Sequence, residues 1–202
     1  SSSYQNSISM KSKEETCETT LKVLYFIYKK FGFFPRVVIC DNEKGYHKAK
    51  RQMDRKDGGA SIKWIFTSRD RPEENGFLEK HIHITWKGMN ASSEAADLEN
   101  DDPFRQSTWF YNFHHQQYHK NLIVTRPPQD PYTRFHGVLS PQIRNLHPWA
   151  RLAVVTLPRS AKRKNKSPGE VRVFVGYLSN THRPHTLKMY SLKTRKWINT
   201  CD

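Results

Sequence analysis

The chain of 202 residues is short of cysteine, glycine and acid. Cys17, Cys40 and Cys201 lie far apart, are odd in number and include no CxxC pair. That pattern argues against a disulfide scaffold and a Cys-based zinc site, and it fits reduced, intracellular chemistry. No apolar run approaches the length of a membrane span, and the Ser-rich start lacks the features of a signal peptide. The expectation is therefore no membrane partner. No glycine-rich phosphate loop, HExxH motif, Ser/His/Asp arrangement or internal repeat stands out.

What is abundant is positive charge. There are 34 Lys+Arg against 19 Asp+Glu, a formal net charge of +15. Such a balance points to nucleic acid or an anionic surface. The charge is uneven: thirteen Lys/Arg and two Asp/Glu lie from Pro141 to Asp202, so +11 of the +15 sits there. Glu94, Asp97, Glu99, Asp101 and Asp102 form an opposing acidic patch. With 36% hydrophobic residues, the chain is also able to bury a core.

Tyr4 to Met10 has the character of a strand. KSKEETCETTLKVLYFIYKKFG is an amphipathic helix, with Ser12 and Glu15 as a capping box and Gly32 as its stop. Cys17, Leu21, Leu24, Tyr28 and Phe31 recur at helical spacing on one face. Arg36–Cys40 is a strand whose VVIC core is a short continuous apolar run, as in a strand covered on both faces. A polar stretch rich in Lys and Gly follows Asp41, and Ser61–Phe66 is the next strand. A helix from Phe77 presents Leu78, Ile82, Trp86 and Met89 on one side and Glu79, His83 and Lys87 on another. Another helix spans roughly Pro103–Lys120, with Trp109, Phe110 and Phe113 as core candidates. The Pro-rich segment 125–140 reads as a linker. Beyond it WARLAVVTL, VRVFVGY, HTLKMY and KWINTC are short strands separated by turn signals, suggesting a small barrel. An α/β part is thus followed by an all-β part.

Asp41 ends a strand, and Glu79 lies in the first turn of a helix. In open α/β sheets ligands gather beyond the carboxyl ends of strands. Two carboxylates inside a basic protein make sense around a hard divalent cation, which takes carboxylate, phosphate and water oxygens. The plainer alternative is a turn-making Asp and a Glu that favours a helix N-terminus.

The surrounding residues resemble the integrase core of copia-type LTR retrotransposons. That family carries a DDE triad on a ribonuclease H-like fold. Asp41 and Asn42 in DNEKGY match its strand–DNGGEY-like motif. Pro72, Asn75, Gly76, Glu79, Lys80 and His83 match its P-x-x-N-G-x-x-E-R/K-x-H/N-R-like motif. TWFYNFHHQQYHKN looks like the helix after the Glu. RPPQDPYTRFHGVLSPQIRNLHPWARLAVV resembles the connection that follows, and EVRVFVGYLSN with TLKMYSLKTRKWINTCD resembles the SH3-like module.

The resemblance implies a ribonuclease H-like α/β core over 1–124, lacking its first strands, then a linker over 125–140 and a small all-β SH3-like barrel over 141–202. It implies an integrase fragment, or a decayed copy. The complete enzyme would process 3′ ends and transfer element DNA into target DNA with two Mg²⁺ or Mn²⁺ ions. Asp41 and Glu79 would be catalytic metal ligands. Asn42, Asn75, Lys80, His83 and Lys87, with Arg159, Lys162, Arg163, Lys164 and Lys166, would bind nucleic acid. The partners would be DNA and further copies of the chain, and the working compartment the nucleus.

Three departures stand out. The acid after the glycines of the motif is missing, and Glu43 sits two places early. The Asp41–Glu79 interval is slightly long, which suggests an enlarged loop around Lys56–Ala60. No Asp precedes Asp41, so the triad's first member is not represented and activity alone is not expected. A non-catalytic nucleic-acid-binding protein derived from an integrase is the main alternative, and a protein–protein assembly module a third.

The basic run PRSAKRKNKSPG is either a solvated loop, a phosphate-tracking loop or a nuclear-localisation signal. The stripe Lys80, His83, Lys87 is either a solvated face or a path for DNA. His81, His83, His114, His115 and His119 are expected on helix surfaces or facing DNA rather than holding metal.

Overall fold

The computed structural model describes residues 4–56, 62–68, 76–123, 129–140, 143, 146–156, 169–178 and 186–201. They form two compact units: Ile8–Ile82, and Ser1–Ser7 together with His83–Asp202.

In the first unit, a 3₁₀ turn over Lys13–Glu15 leads into α1 (Thr16–Phe31). The expected capping box is displaced by one residue. Ser12 Oγ accepts from the Glu14 N–H (3.3 Å), and Glu15 Oε2 accepts from the Lys11 N–H (3.2 Å). Gly32 closes α1 in the left-handed conformation at φ +77°, donating its N–H to Tyr28 O. This is the αL stop that glycine accepts without strain. Thr16, Cys17 and Leu24 are buried, while Tyr28 and Phe31 at the far end of the same face are exposed.

β1 (Val37–Asp41) and β2 (Lys63–Thr67) pair in parallel, with Asp41 opposite Thr67. The expectation of a strand covered on both faces is not met. Burial along β1 alternates, and Ile39 is 60% exposed. The connection between the two strands carries α2 (Lys44–Lys56), where the sequence predicts only a polar stretch. Only Ala49 and Met53 are fully buried along it, joined by half-buried Tyr46. Those positions follow a 3–4 spacing, so one narrow stripe faces inward and most of the remaining positions are polar or charged.

α3 (Gly76–Glu94) begins where the sequence placed it, but its expected apolar face is not its buried face. Leu78, Ile82 and Trp86 are exposed, and only Met89 of that set is buried. Within the second unit the buried side of α3 is Thr85, Met89 and Ser93, at i, i+4, i+8. Side chains of α4 (Pro103–Leu122) reach this side of α3. Asn112 Nδ2 donates to Met89 O and to Ser93 Oγ, each at 3.1 Å, and Lys120 Nζ donates to Thr85 Oγ1 at 3.0 Å. The helix pair is therefore held by satisfied buried polar groups, each worth about 1 kcal/mol net. Asp102, from the acidic patch, caps α4 by accepting from the N–H groups of Phe104 (2.7 Å) and Arg105 (3.1 Å). Of the aromatic core candidates, Phe113 is buried, Phe110 is half-buried and Trp109 is exposed, stacked beside Trp86.

Tyr4 to Met10, expected as a strand, has no regular structure. At Gln5 the backbone bonds to a side chain. The Gln5 N–H donates to Asn121 Oδ1 (2.9 Å), and Asn121 Nδ2 donates to Gln5 O (2.7 Å). The stretch expected as a linker contains a short helix, α5 (Pro131–His136), capped by Asp130 and ended by Gly137.

The C-terminal part is an antiparallel meander of four strands, β3 (Leu152–Thr156), β4 (Gly169–Tyr177), β5 (Thr186–Tyr190) and β6 (Trp197–Cys201), in the order β3-β4-β5-β6. Val155, Phe174, Leu187 and Met189 form its core. A bulge between Phe174 and Gly176 bends β4, with Gly176 at φ +150°. α4 packs on β4, where the His115 ring meets Phe174 and Tyr177. Taken together, the protein is mixed α/β with a separate antiparallel four-stranded sheet at its C-terminal end. Among the described residues no helix is long and apolar enough to cross a membrane.

Candidate functional site

The parallel pair fixes where Asp41 stands. It is the last residue of β1, at the carboxyl end where open α/β sheets place their ligands, and it is exposed. Its neighbour across the register is Thr67, which is buried. Thr67 Oγ1 donates to Asp41 Oδ1 at 3.4 Å and lies 3.5 Å from Cys40 O. A buried hydroxyl against a carboxylate oxygen restricts the rotamer of an otherwise solvent-facing group. The sequence reading did not single out Thr67; the parallel register is what makes it a partner of Asp41.

The residues after Asp41 fold back over the strand end. The Glu43 N–H donates to Asp41 O (2.8 Å), a tight turn that starts α2. Asn42 Oδ1 meets His47 Nε2 at 2.7 Å, and the His47 ring stacks on Phe66 at 3.9 Å between centroids. Asn42 is thus engaged with the protein's own His47. Glu43 forms an exposed ion pair with Lys13 at 3.2 Å, worth at most about 1 kcal/mol. The carboxylate also acts on its surroundings. Burial, then the Asp41 charge, pushes the Cys40 thiol up to about 11, so this cysteine is no thiolate nucleophile at neutral pH. Burial, with Cys40, Asp41 and Glu43, raises the Tyr46 phenol.

Glu79 lies in the first turn of α3 and is exposed. Lys80, His83 and Lys87 follow along the same helix, each exposed. Asp41 and Glu79 offer hard oxygen donors of the kind Mg²⁺ and Mn²⁺ take, and such ions complete their shells with water and phosphate. The donor chemistry fits. The donor set seen is small: among the described residues no group of three or more His, Cys, Asp or Glu gathers to hold a metal ion. Asn75 and the basic run with Arg159, Lys162, Arg163, Lys164 and Lys166 lie outside the described residues.

The α4 histidines depart from expectation. His115 is 4% exposed, its Nε2 is 3.0 Å from His147 O, and burial drives its pKa down to about 3. Burial also lowers His119 and His114. These rings are packing groups against the sheet, not surface cations. Their i, i+4 recurrence with Tyr111 and Tyr118 on one side of α4 was the readable signal of a buried face.

Comparison with protein-family models and with curated proteins finds no match for this chain.

Proposed function

We propose that the chain is a piece of a retrotransposon integrase, with most of a ribonuclease H-like core followed by an SH3-like module. The observation that carries this reading is the placement of its two motif carboxylates. Asp41 ends a parallel strand, and Glu79 lies in the first turn of a helix. Both sit inside the motifs that resemble the family.

Two further features support it. Val37, Ile39 and Ile65 are exposed on the parallel pair, whereas parallel sheets normally have both faces covered. In a complete ribonuclease H-like core, crossover helices would cover that face. The four-stranded antiparallel meander at the other end is the kind of sheet from which a small barrel is built.

In this reading Asp41 and Glu79 would hold Mg²⁺ or Mn²⁺, which would activate an attacking oxygen and stabilise a leaving one at a DNA phosphodiester. Thr67 would contact the Asp41 carboxylate from the neighbouring strand. Lys80, His83 and Lys87 hold phosphates along α3, with the basic sequence run 159–166 adding further contacts. Water would first trim the 3′ end of element DNA, and the resulting 3′-OH would then attack target DNA. The partners are DNA and further copies of the chain, working in the nucleus.

The test is strand transfer of element-end oligonucleotides onto plasmid DNA with Mn²⁺ or Mg²⁺. It compares this chain, an upstream-extended version carrying an Asp-bearing strand, and that version with Glu79→Gln. Joining by the extended protein and its loss in Glu79→Gln is the expected result. Salt-sensitive DNA binding with no joining in any version instead establishes the second reading, a non-catalytic nucleic-acid-binding protein derived from an integrase. The feature favouring that second reading is the +11 charge after Pro141, which binds phosphate without any carboxylate chemistry.

A further inference from the structure

A cavity of about 230 Å³ lies between α4 and the β4–β5 face, wholly within the second unit. Its walls are aromatic. Tyr111, His114 and Tyr118 follow one another at i, i+3, i+7 on α4, and Tyr177 faces them from β4. Gln5, Asn6 and Asn121 add a polar side to the lining, and two further polar groups bear on what it could take. Gln117 is 8% exposed, and its Oε1 has no hydrogen-bond partner in the protein. Lys188, half-buried on β5, holds its ammonium 4.0 Å above the Tyr111 ring and 5.1 Å from the Trp197 ring centre.

Each feature narrows the ligand. The volume is below the roughly 300–1,000 Å³ of sites for drug-sized molecules, so it suits one ring system. Aromatic walls take a flat π-face. A buried acceptor without a partner calls for a ligand N–H or O–H, because orphaned buried oxygens are uncommon in native proteins. A glutamine amide in particular matches the donor and acceptor edge of adenine. The cation beside the rings calls for a negative charge next to the flat group. His114 is held neutral by burial and by Lys188, so its ring offers a donor and an acceptor without repelling a donor edge.

We propose that this cavity receives one unpaired nucleobase of a nucleic-acid strand, adenine by preference, with its phosphate toward Lys188. The proposal rests on the nucleic-acid-binding part of the reading above and not on its metal chemistry. A base in this pocket takes the place of the Lys188 ammonium over Tyr111 as the ammonium turns to the phosphate, lies against Tyr177, donates from its exocyclic amine to Gln117, and leaves its backbone at the mouth. Duplex DNA, whose bases are paired and stacked, does not enter.

The test is equilibrium binding of the full chain to a fluorescently labelled deoxyadenosine oligomer and to a duplex of equal length, at one salt concentration. The expected result is tighter binding of the single strand by about tenfold, the scale of one stacked base. Gln117→Leu removes the acceptor at nearly constant shape and is expected to abolish that preference while leaving duplex binding unchanged. Because Gln117 is buried, Lys188→Gln and Tyr111→Leu serve as independent variants, each weakening the single strand several-fold, with circular dichroism and thermal midpoint confirming the fold. Competition by free adenosine monophosphate assigns the pocket to free nucleotides as well; its failure, with the oligomer still preferred, assigns it to strands alone. Equal affinity for strand and duplex, or a single-strand preference that survives all three substitutions, overturns the pocket while leaving the integrase reading intact. Absence of binding to either nucleic acid overturns both.

Discussion

Thr67 Oγ1 and Asp41 Oδ1 meet at 3.4 Å across the last pair of the parallel register. The contact ties the motif carboxylate to a buried residue of the neighbouring strand. If Asp41 holds a metal, Thr67 is a positioning residue for it. Mn²⁺ is expected to broaden the amide NMR signals of Asn42 and Thr67 in the wild-type chain. Asp41→Asn is expected to abolish the effect, Glu79→Gln to reduce it, and Thr67→Val to shift it to higher Mn²⁺ concentration. Unchanged broadening in Asp41→Asn would place the ion elsewhere.

Gly45 provides a test of the close approach of α1 and α2. Inside a helix, alanine is usually favoured over glycine by about 1 kcal/mol. A Cβ at Gly45 would lie 2.6 Å from Thr16 Cβ and 2.9 Å from Thr16 Cγ2. Thr16 is buried, so it has little room to give. Gly45→Ala is therefore expected to destabilise the protein, reversing the usual sign, and its urea midpoint should fall below that of the wild type.

Met53 carries much of the burial of α2, being almost fully enclosed. Met53→Ala is expected to cost about 2–5 kcal/mol, the range for emptying a core site. Lys50, one turn before Asp54 and paired with it at 2.7 Å in partial exposure, is expected to contribute only about 0.3–0.5 kcal/mol. Denaturant unfolding of Met53→Ala and Lys50→Ala separates the two.

α2 also shows where the sequence was legible and where it was not. α1 and the four C-terminal strands could be read because wide apolar faces and turn residues mark them. α2 hides because its buried stripe is one aromatic, one alanine and one methionine among basic residues, leaving a weak periodic signal. α3 misled for the opposite reason. Its large apolar residues lie on an exposed side, while Thr85, Met89 and Ser93 are buried and accept hydrogen bonds from α4. Asp41 and Glu79 were legible only through their motifs, since two carboxylates at that spacing carry no signal of their own. Thr67 and His47 became visible once strand register placed them beside Asp41 and Asn42. The α4 cavity needed the meander to be laid against the helix.

Phosphate binding along α3 predicts a measurable salt response. Each neutralised phosphate adds about 0.9 to the slope of log K against log salt on duplex DNA. Replacing Lys80 and Lys87 together by Gln is expected to weaken duplex binding across sequences and to reduce that slope by about 2. An unchanged slope would make the stripe a solvated face.

His115 sets the response to acid. Burial first, then the neighbouring His119, and finally His147 push its pKa down, to about 3, against the opposing hydrogen bond to His147 O. An unfolded imidazole titrates near ~6.5. Between those values the unfolded chain takes a proton that the folded chain refuses. Stability is therefore full above the unfolded value and falls as pH drops below it, by up to about 1.4 kcal/mol per unit for this one group. Burial lowers His119 and His114 as well, so they act in the same direction. Asp130 and Glu170 are also held low, by hydrogen bonds from Thr133 and from Ser191 and Arg172, but carboxylates with lowered values act only in more acid solution. A thermal-melt series from pH 7 to pH 5 thus isolates the histidines. His115→Gln is expected to lower the midpoint at pH 7, through lost contact with Phe174 and Tyr177, yet to flatten its fall toward pH 5. A variant that keeps the full wild-type slope would mean that another group refuses the proton.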